Sequence, residues 1–233
     1  MYLVEGNIGA GKSTFLSIIA RQLPYASVCM EPREQWQQEN GQSILELFYK
    51  EPHRWAYTME TLAMIYRVKN HIIEQQHASP FRVMERSVYS GHYVFAHNDY
   101  EQGYLTDLEW QLYLQFFNFM VPQACRAPQG FIYLRTDPAV AYERMKVRNR
   151  GSEATVPLEY LQQIDAKHRS LLIDKQGVLH QLVDVPVLVL ECNEDFEKDA
   201  AHQKKLIEQV EQFLQETQLH ANRSVHRSGA YPL

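Results

Sequence analysis

The sequence predicts an α/β protein built on a parallel sheet. Two observations carry this. Short apolar runs alternate with long amphipathic stretches, and the octet Gly6-Asn7-Ile8-Gly9-Ala10-Gly11-Lys12-Ser13 stands between the first run and the first stretch. Strands and helices that alternate in this way form parallel sheets with helices on both faces. The octet fits G-x-x-x-x-G-K-[ST], whose glycines let backbone N–H groups turn inward around a phosphate at a helix N-terminus.

Taken in order, Tyr2 to Glu5 is a short extended run that Gly6 stops. Lys12 to Gln22 reads as a helix with Phe15, Leu16, Ile18 and Ile19 on its apolar stripe. Ala26 to Met30 is a second strand candidate, ended by Glu31-Pro32. Ile44 to Phe48 is helical, and Pro52 breaks it and opens a long helix from about Arg54 to Gln76. Phe81 to Met84, Phe131 to Leu134 and Pro186 to Leu190 complete five strand candidates. Leu108 to Met120, apolar and aromatic throughout, predicts a buried helix. Phe196 to Leu219 predicts a closing amphipathic helix, and 220–233 a disordered tail without period. No linker divides the stretch 1–219, which is expected to form a single domain.

At 233 residues, 45% hydrophobic and 22% charged, the chain is long enough and apolar enough for a sizeable core. The formal net charge of -5 argues against a nucleic acid partner, which needs a basic face. Cys29, Cys125 and Cys192 are too few and too scattered for a disulfide framework or a zinc site, so reduced thiols in a cytosolic protein are expected. No apolar run is long enough to span a bilayer, and no targeting segment is expected ahead of a phosphate motif that begins at Gly6.

In a P-loop, Lys12 reaches the β- and γ-phosphates and Ser13, followed by Thr14, helps hold Mg²⁺. The loop implies nucleotide binding and leaves the acceptor open. In a parallel sheet the ligand lies beyond the carboxyl ends of the strands, so the residues that follow each strand are the candidates. These are Glu31, Glu85-Arg86, Arg135 and Asn193-Glu194-Asp195. Each admits two readings. Glu31 is a general base or a turn glutamate, and Glu85-Arg86 a functional pair at a strand end or a surface ion pair. Arg144 and Arg148, one helical turn apart with Arg150 beyond, are a phosphate clamp or a solvated basic face.

Four clusters raise the specificity: Glu31-Pro32-x-x-x-Trp36, the run Tyr49 to Arg67, Glu85-Arg86-Ser87, and Arg144-x-x-x-Arg148-Asn149-Arg150 followed by Glu153. With the P-loop they resemble the deoxynucleoside kinase family, in order and along nearly the whole chain up to Asn193-Glu194-Asp195-Phe196. The resemblance implies a P-loop kinase fold with a five-stranded parallel core, a helical lid and a helical dimer interface. It implies transfer of the γ-phosphate of ATP, with Mg²⁺, to the 5′-hydroxyl of a deoxyribonucleoside in nucleotide salvage. It makes Glu31 the base, sets Trp36 against the nucleobase and places Arg86 at the 5′-oxygen and phosphates. Glu85 then stands at the magnesium, and Arg144, Arg148 and Arg150 in the lid. Tyr49 and Glu153 hold the sugar, with Tyr49 beneath C2′ disfavouring ribose. Asp195 and Phe196 belong to the loop that holds the donor base, largely through backbone contacts.

Two positions depart from the family. Glu60 stands where glutamine is usual, and an ionised glutamate offers acceptors alone. Guanine presents two adjacent donors, N1–H and the 2-amino group. Arg67, two helical turns on, faces guanine O6 or N7 from the other side. A protonated Glu60 would mimic glutamine and remove the argument, and a structural Glu60–Arg67 pair is the other alternative. Gly91 replaces the family's usual aspartate, which removes an acceptor and opens space beside Arg67. The expectation is a cytoplasmic, homodimeric kinase of a deoxynucleoside, deoxyguanosine ahead of deoxyadenosine and deoxycytidine, with no membrane partner. The helix from Leu108 to Met120 is dimer interface or core. A nucleoside monophosphate kinase and a nucleotide-binding regulatory subunit are the rival classes. The first lacks a basic site for its acceptor phosphate here, and the second sits poorly with a retained base and lid arginines.

Overall fold

A computed structural model describes residues 1–31, 43–153 and 155–228. Five parallel strands form one sheet in the order β2-β3-β1-β4-β5, with β1 Tyr2–Gly6, β2 Ser27–Cys29, β3 Arg82–Glu85, β4 Gly130–Arg135 and β5 Val187–Glu191. The expected fold class, a P-loop kinase sheet flanked by helices, is the one observed. Every residue of β1 is buried, which is why Tyr2, Leu3 and Val4 read as a continuous apolar run and not as an alternation.

The helices fall on both faces. On one, α1 (Lys12–Gln22) and α10 (Ala200–Ser228) pack on the sheet through Phe15, Leu16, Ile19, Ile207, Val210 and Leu214. On the other lie α3 (Pro52–Glu74), α6 (Asp107–Ala124) and α8 (Leu158–Arg169), around Met64, Tyr113, Phe117, Leu161 and Ile164. Helix α2 (Ile44–Lys50) docks beside α3 through Phe48, against Ala56 and Met59. The remaining helices are α4 (Val88–Ser90), α5 (His97–Glu101), α7 (Pro138–Arg148) and α9 (His180–Val183).

The structure adds to or changes the sequence reading at three places. The stretch 88–101 is helical, which its sequence does not signal. A π-helical segment, Gly91–Ala96, joins α4 to α5, so the 3.6-residue period is interrupted. The closing helix begins at Ala200, because Phe196 is drawn into the core against Phe15, their ring centroids 6.1 Å apart. It runs on to Ser228, well into the expected tail, since no glycine or proline interrupts the chain from Ala200 until Gly229.

Finally, α6 is not buried all round. Tyr113, Phe117 and Val121 face the core, while Leu108 is 66% exposed, Phe119 70%, and Leu112 and Phe116 are also exposed. Thr106 and Glu109 close a capping box at its start.

Candidate functional site

The carboxyl ends of β1, β2 and β3 meet at one edge of the sheet, where a cavity of about 580 Å³ opens. Ile8, Gly9, Gly11, Lys12, Ser13 and Thr14 line it from the P-loop, while Gly6, Asn7 and Ala10 frame the turn behind them. Asn7 pins the loop: its Nδ2 donates to Leu161 O (2.8 Å) and its Oδ1 accepts from Ile8 N (2.8 Å). Gly11, at φ +88°, is the N-cap of α1, and a Cβ there would stand 2.7 Å from the Phe196 ring. Phe196 therefore supports the P-loop from below. Asp195 is exposed and pairs with Lys198, away from the cavity lining.

Lys12 is folded back into its own loop. Its Nζ donates to Gly6 O (2.9 Å) and Asn7 O (2.7 Å). Burial, reinforced by the nearby charge of Arg86, lowers its pKa to about 7. Ser13 Oγ donates to Glu85 Oε1 (2.8 Å), and Glu85 Oε2 accepts from the Glu31 backbone N–H (3.3 Å).

Glu31 lies between two guanidinium groups. Arg67 Nη2 donates to its Oε1 at 3.2 Å, and Arg86 Nε is 3.5 Å from its Oε2. Burial alone would raise the carboxyl's pKa, but Arg67 and then Arg86 overcome it and hold the value below the usual range. Arg67 thus contacts the candidate base as well as lying along the face that carries Glu60. Arg86 has a left-handed backbone, φ +60°, with its N–H donating to Val4 O at 3.0 Å. For a non-glycine residue this costs about 1–2 kcal/mol, and such outliers concentrate at working sites. Phe95, from the π-helical segment, packs under both arginines, 4.6 Å from Arg86 Cζ and 5.9 Å from Arg67 Cζ.

Tyr49 of α2 and Glu153 share the cavity wall with Tyr160 of α8, whose ring stands edge-on to Tyr49 at 6.4 Å. Burial and then the charge of Glu153 raise the Tyr49 hydroxyl's pKa, which marks the two as neighbours. Arg148 Nη2 donates to Glu153 Oε2 (2.5 Å), and Arg150 Nη1 lies 3.5 Å from its Oε1. Both arginines line the cavity. Arg144 does not: its guanidinium donates to Cys192 O (2.6 Å), Asn193 O (2.9 Å) and Glu194 O (2.8 Å). It clamps the loop after β5, because one turn back along α7 brings it over that loop and not over the P-loop.

Glu60 lines the cavity, 5% exposed, with Oε2 buried and unpartnered. Burial raises its pKa to about 7 against the pull of Arg67 and Arg86. Gly91 stands beside Arg67, where a Cβ would come 2.7 Å from Nη1. Trp36 lies outside the described residues. Phe95 and Tyr160 carried no sequence signal, since each sits in a helix whose role follows from tertiary packing alone.

Comparison with known proteins settles the family. The deoxynucleoside kinase family model matches residues 2–215. The chain belongs to the deoxynucleoside kinase family. It is 35% identical to deoxycytidine kinase 2 of Gallus gallus over 237 residues, covering 91% of this chain and 89% of the relative. It is 34% identical to deoxycytidine kinase of Homo sapiens over 235 residues, with the same shares. Mitochondrial deoxyguanosine kinase of Xenopus laevis is also 34% identical, over 236 residues, covering 91% of this chain and 88% of the relative. The chain is therefore an ATP-dependent deoxynucleoside kinase, a phosphotransferase with an alcohol as acceptor. No helix among the described residues is long and apolar enough to cross a membrane.

A P-loop lysine whose pKa burial lowers to about 7 should take up a proton with ATP. The triphosphate charge raises the Lys12 pKa above its ligand-free value of about 7, so the protonated form binds better. ATP affinity should then fall as pH rises above about 7. Calorimetric ATP titrations in buffers of different ionisation enthalpy should show net proton uptake, which Lys12→Met removes.

Proposed function

We propose that this kinase phosphorylates the 5′-hydroxyl of a purine deoxyribonucleoside, deoxyguanosine first. Glu60 carries this reading. Its carboxyl lines the cavity with one buried oxygen unpartnered, and an ionised carboxylate there accepts from both N1–H and the 2-amino group of guanine. A buried acceptor left unpaired costs about 1–3 kcal/mol, and a base that supplies the donors recovers it. Arg67 lines the same cavity, its guanidinium occupying the space that a side chain at Gly91 would need.

In the transfer step Glu31 accepts the proton of the 5′-hydroxyl, and its pairing with Arg67 and Arg86 keeps it ionised and ready to do so. The 5′-oxygen forms a bond to the γ-phosphorus of ATP, the bond to the β–γ bridging oxygen breaks, and ADP leaves. Lys12, released from the carbonyls of its loop, and Arg86, Arg148 and Arg150 offset the charge on the transferring group. Tyr49 and Glu153 hold the sugar, and the bulk of Tyr49 opposes a 2′-hydroxyl.

The donor set suits Mg²⁺. Ser13 Oγ and Glu85 are hard oxygen ligands side by side in the cavity. That is the pattern of an ion held by one or two protein oxygens and the phosphates of its substrate. When bound, it neutralises charge on the β- and γ-phosphates.

A second reading has its own support. A Glu60 pKa near 7 allows a protonated carboxyl that behaves as glutamine does, and similarity to deoxycytidine kinases supports deoxycytidine as the acceptor in that case. We also propose a homodimer. Leu108, Leu112, Phe116 and Phe119 form an exposed apolar stripe along α6, and Ile65 and Ile73 of the adjoining α3 are exposed as well.

Glu31→Gln should lower kcat by about 10²- to 10⁴-fold with ATP binding retained, read in a Mg²⁺-ATP assay. If kcat persists, another group is the base. Glu60→Gln should reduce kcat/KM for deoxyguanosine relative to deoxyadenosine and deoxycytidine by about ten- to a hundredfold. Unchanged ratios would refute the guanine assignment. Sedimentation should give twice the chain mass for the wild type and the single mass for Phe116→Asp. A wild-type monomer would exclude the dimer.

A further inference from the structure

Asp99 of α5 is 0% exposed, and both its carboxyl oxygens are buried without a hydrogen-bond partner. An ionised carboxylate in such a place is strongly disfavoured, so the group holds a proton or gains a partner. The charge that bears on it is Glu60, which adds to the effect of burial in raising the Asp99 pKa well above its usual value. Glu60 Oε2 is itself buried and unpartnered, so two buried carboxyl groups with complementary needs act on one another.

The groups around them are unevenly placed. Arg67 from the same helix and Arg86 from the end of β3 act on Glu60. Tyr49 from α2, Tyr113 from α6 and Tyr160 from α8 all feel both carboxyls, and burial keeps these phenols protonated. His92, in the π-helical segment that precedes α5, is kept neutral, its pKa lowered to about 3 by burial. The cations therefore favour charge on Glu60, and nothing comparable favours it on Asp99.

We propose that Asp99 is a positioning residue for nucleobase selection, which stays protonated and donates its carboxyl proton to Glu60, fixing Glu60 as the ionised acceptor that faces the base. This rests on the guanine reading for its consequence but not for its chemistry. The hydrogen bond stabilises the charged form of Glu60, so its loss should raise the pH at which Glu60 ionises. The amide of Asn can donate to Glu60 in the same way, and Leu cannot.

Two measurements test it. At about pH 9, above the range in which Glu60 ionises, infrared difference spectra of wild type minus Asp99→Asn should show a protonated-carboxyl band belonging to Asp99. No such band overturns the proposal, whatever the base preference. The second readout is the ratio of kcat/KM for the best and second-best deoxynucleosides as a function of pH, in which the titration of Lys12 cancels. For the wild type it should change near pH 7, a transition that Glu60→Gln abolishes. Asp99→Asn should keep that transition, and Asp99→Leu should move it up by about one to two pH units. An unmoved transition in Asp99→Leu overturns the proposal, and if that variant does not fold, the infrared result on Asp99→Asn decides alone. Turnover that favours a base other than guanine sinks the base reading separately, since the band and the transition can still be read.

Discussion

Parallel pairing is the constraint on which the site depends. Val4 lies beside Glu85 on one side and Ile132 on the other, so the strands end at one edge with their following residues in reach of one another. Gly6, Glu31 and Arg86 come from three separate strand ends, yet line or frame one cavity. The buried sheet gives this arrangement its rigidity. The C-terminal edge gives it access to a ligand.

Charge governs what that edge can bind. Glu31, Glu60, Glu85 and Glu153 face Lys12, Arg67, Arg86, Arg148 and Arg150 across a largely buried cavity. Several of these groups hold partners that a ligand would have to displace or share. Lys12 is bonded to loop carbonyls, and Glu153 is held by two lid arginines. The apo cleft thus satisfies its charges internally, as buried ions require, and substrate binding exchanges one set of pairings for another. Glu60 Oε2 and both oxygens of Asp99 are among the buried polar atoms left without a hydrogen-bond partner.

The sequence was most legible where a function is encoded in contiguous residues. The P-loop octet located the phosphate end directly, and the 3.6-residue patterns of α1 and α3 located their helices within two residues. Glu31 and Arg86 stand out because a rule of parallel sheets points to residues after strands, and both line the cavity. What stayed hidden depends on packing between distant segments. Arg144 shares a helix face with Arg148 in sequence, but its carbonyl partners lie about fifty residues away. Phe95 belongs to a π-helical segment with no readable period, and α6 reads as core because it is apolar on two faces.

Gly91 bears on how such a site can diverge. Arg67 Nη1 occupies the volume a side chain at 91 would need, so the guanidinium and the missing Cβ define each other's place. Introducing a side chain at 91 forces Arg67 aside, and moving Arg67 also disturbs Glu31, whose Oε1 it holds. Substitutions at 67 and 91 are therefore epistatic, coupled through a shared steric boundary as neighbouring sites are. A change of base preference along this route has to pass through Glu31, the proposed base, which would tie the evolution of selectivity to that of rate.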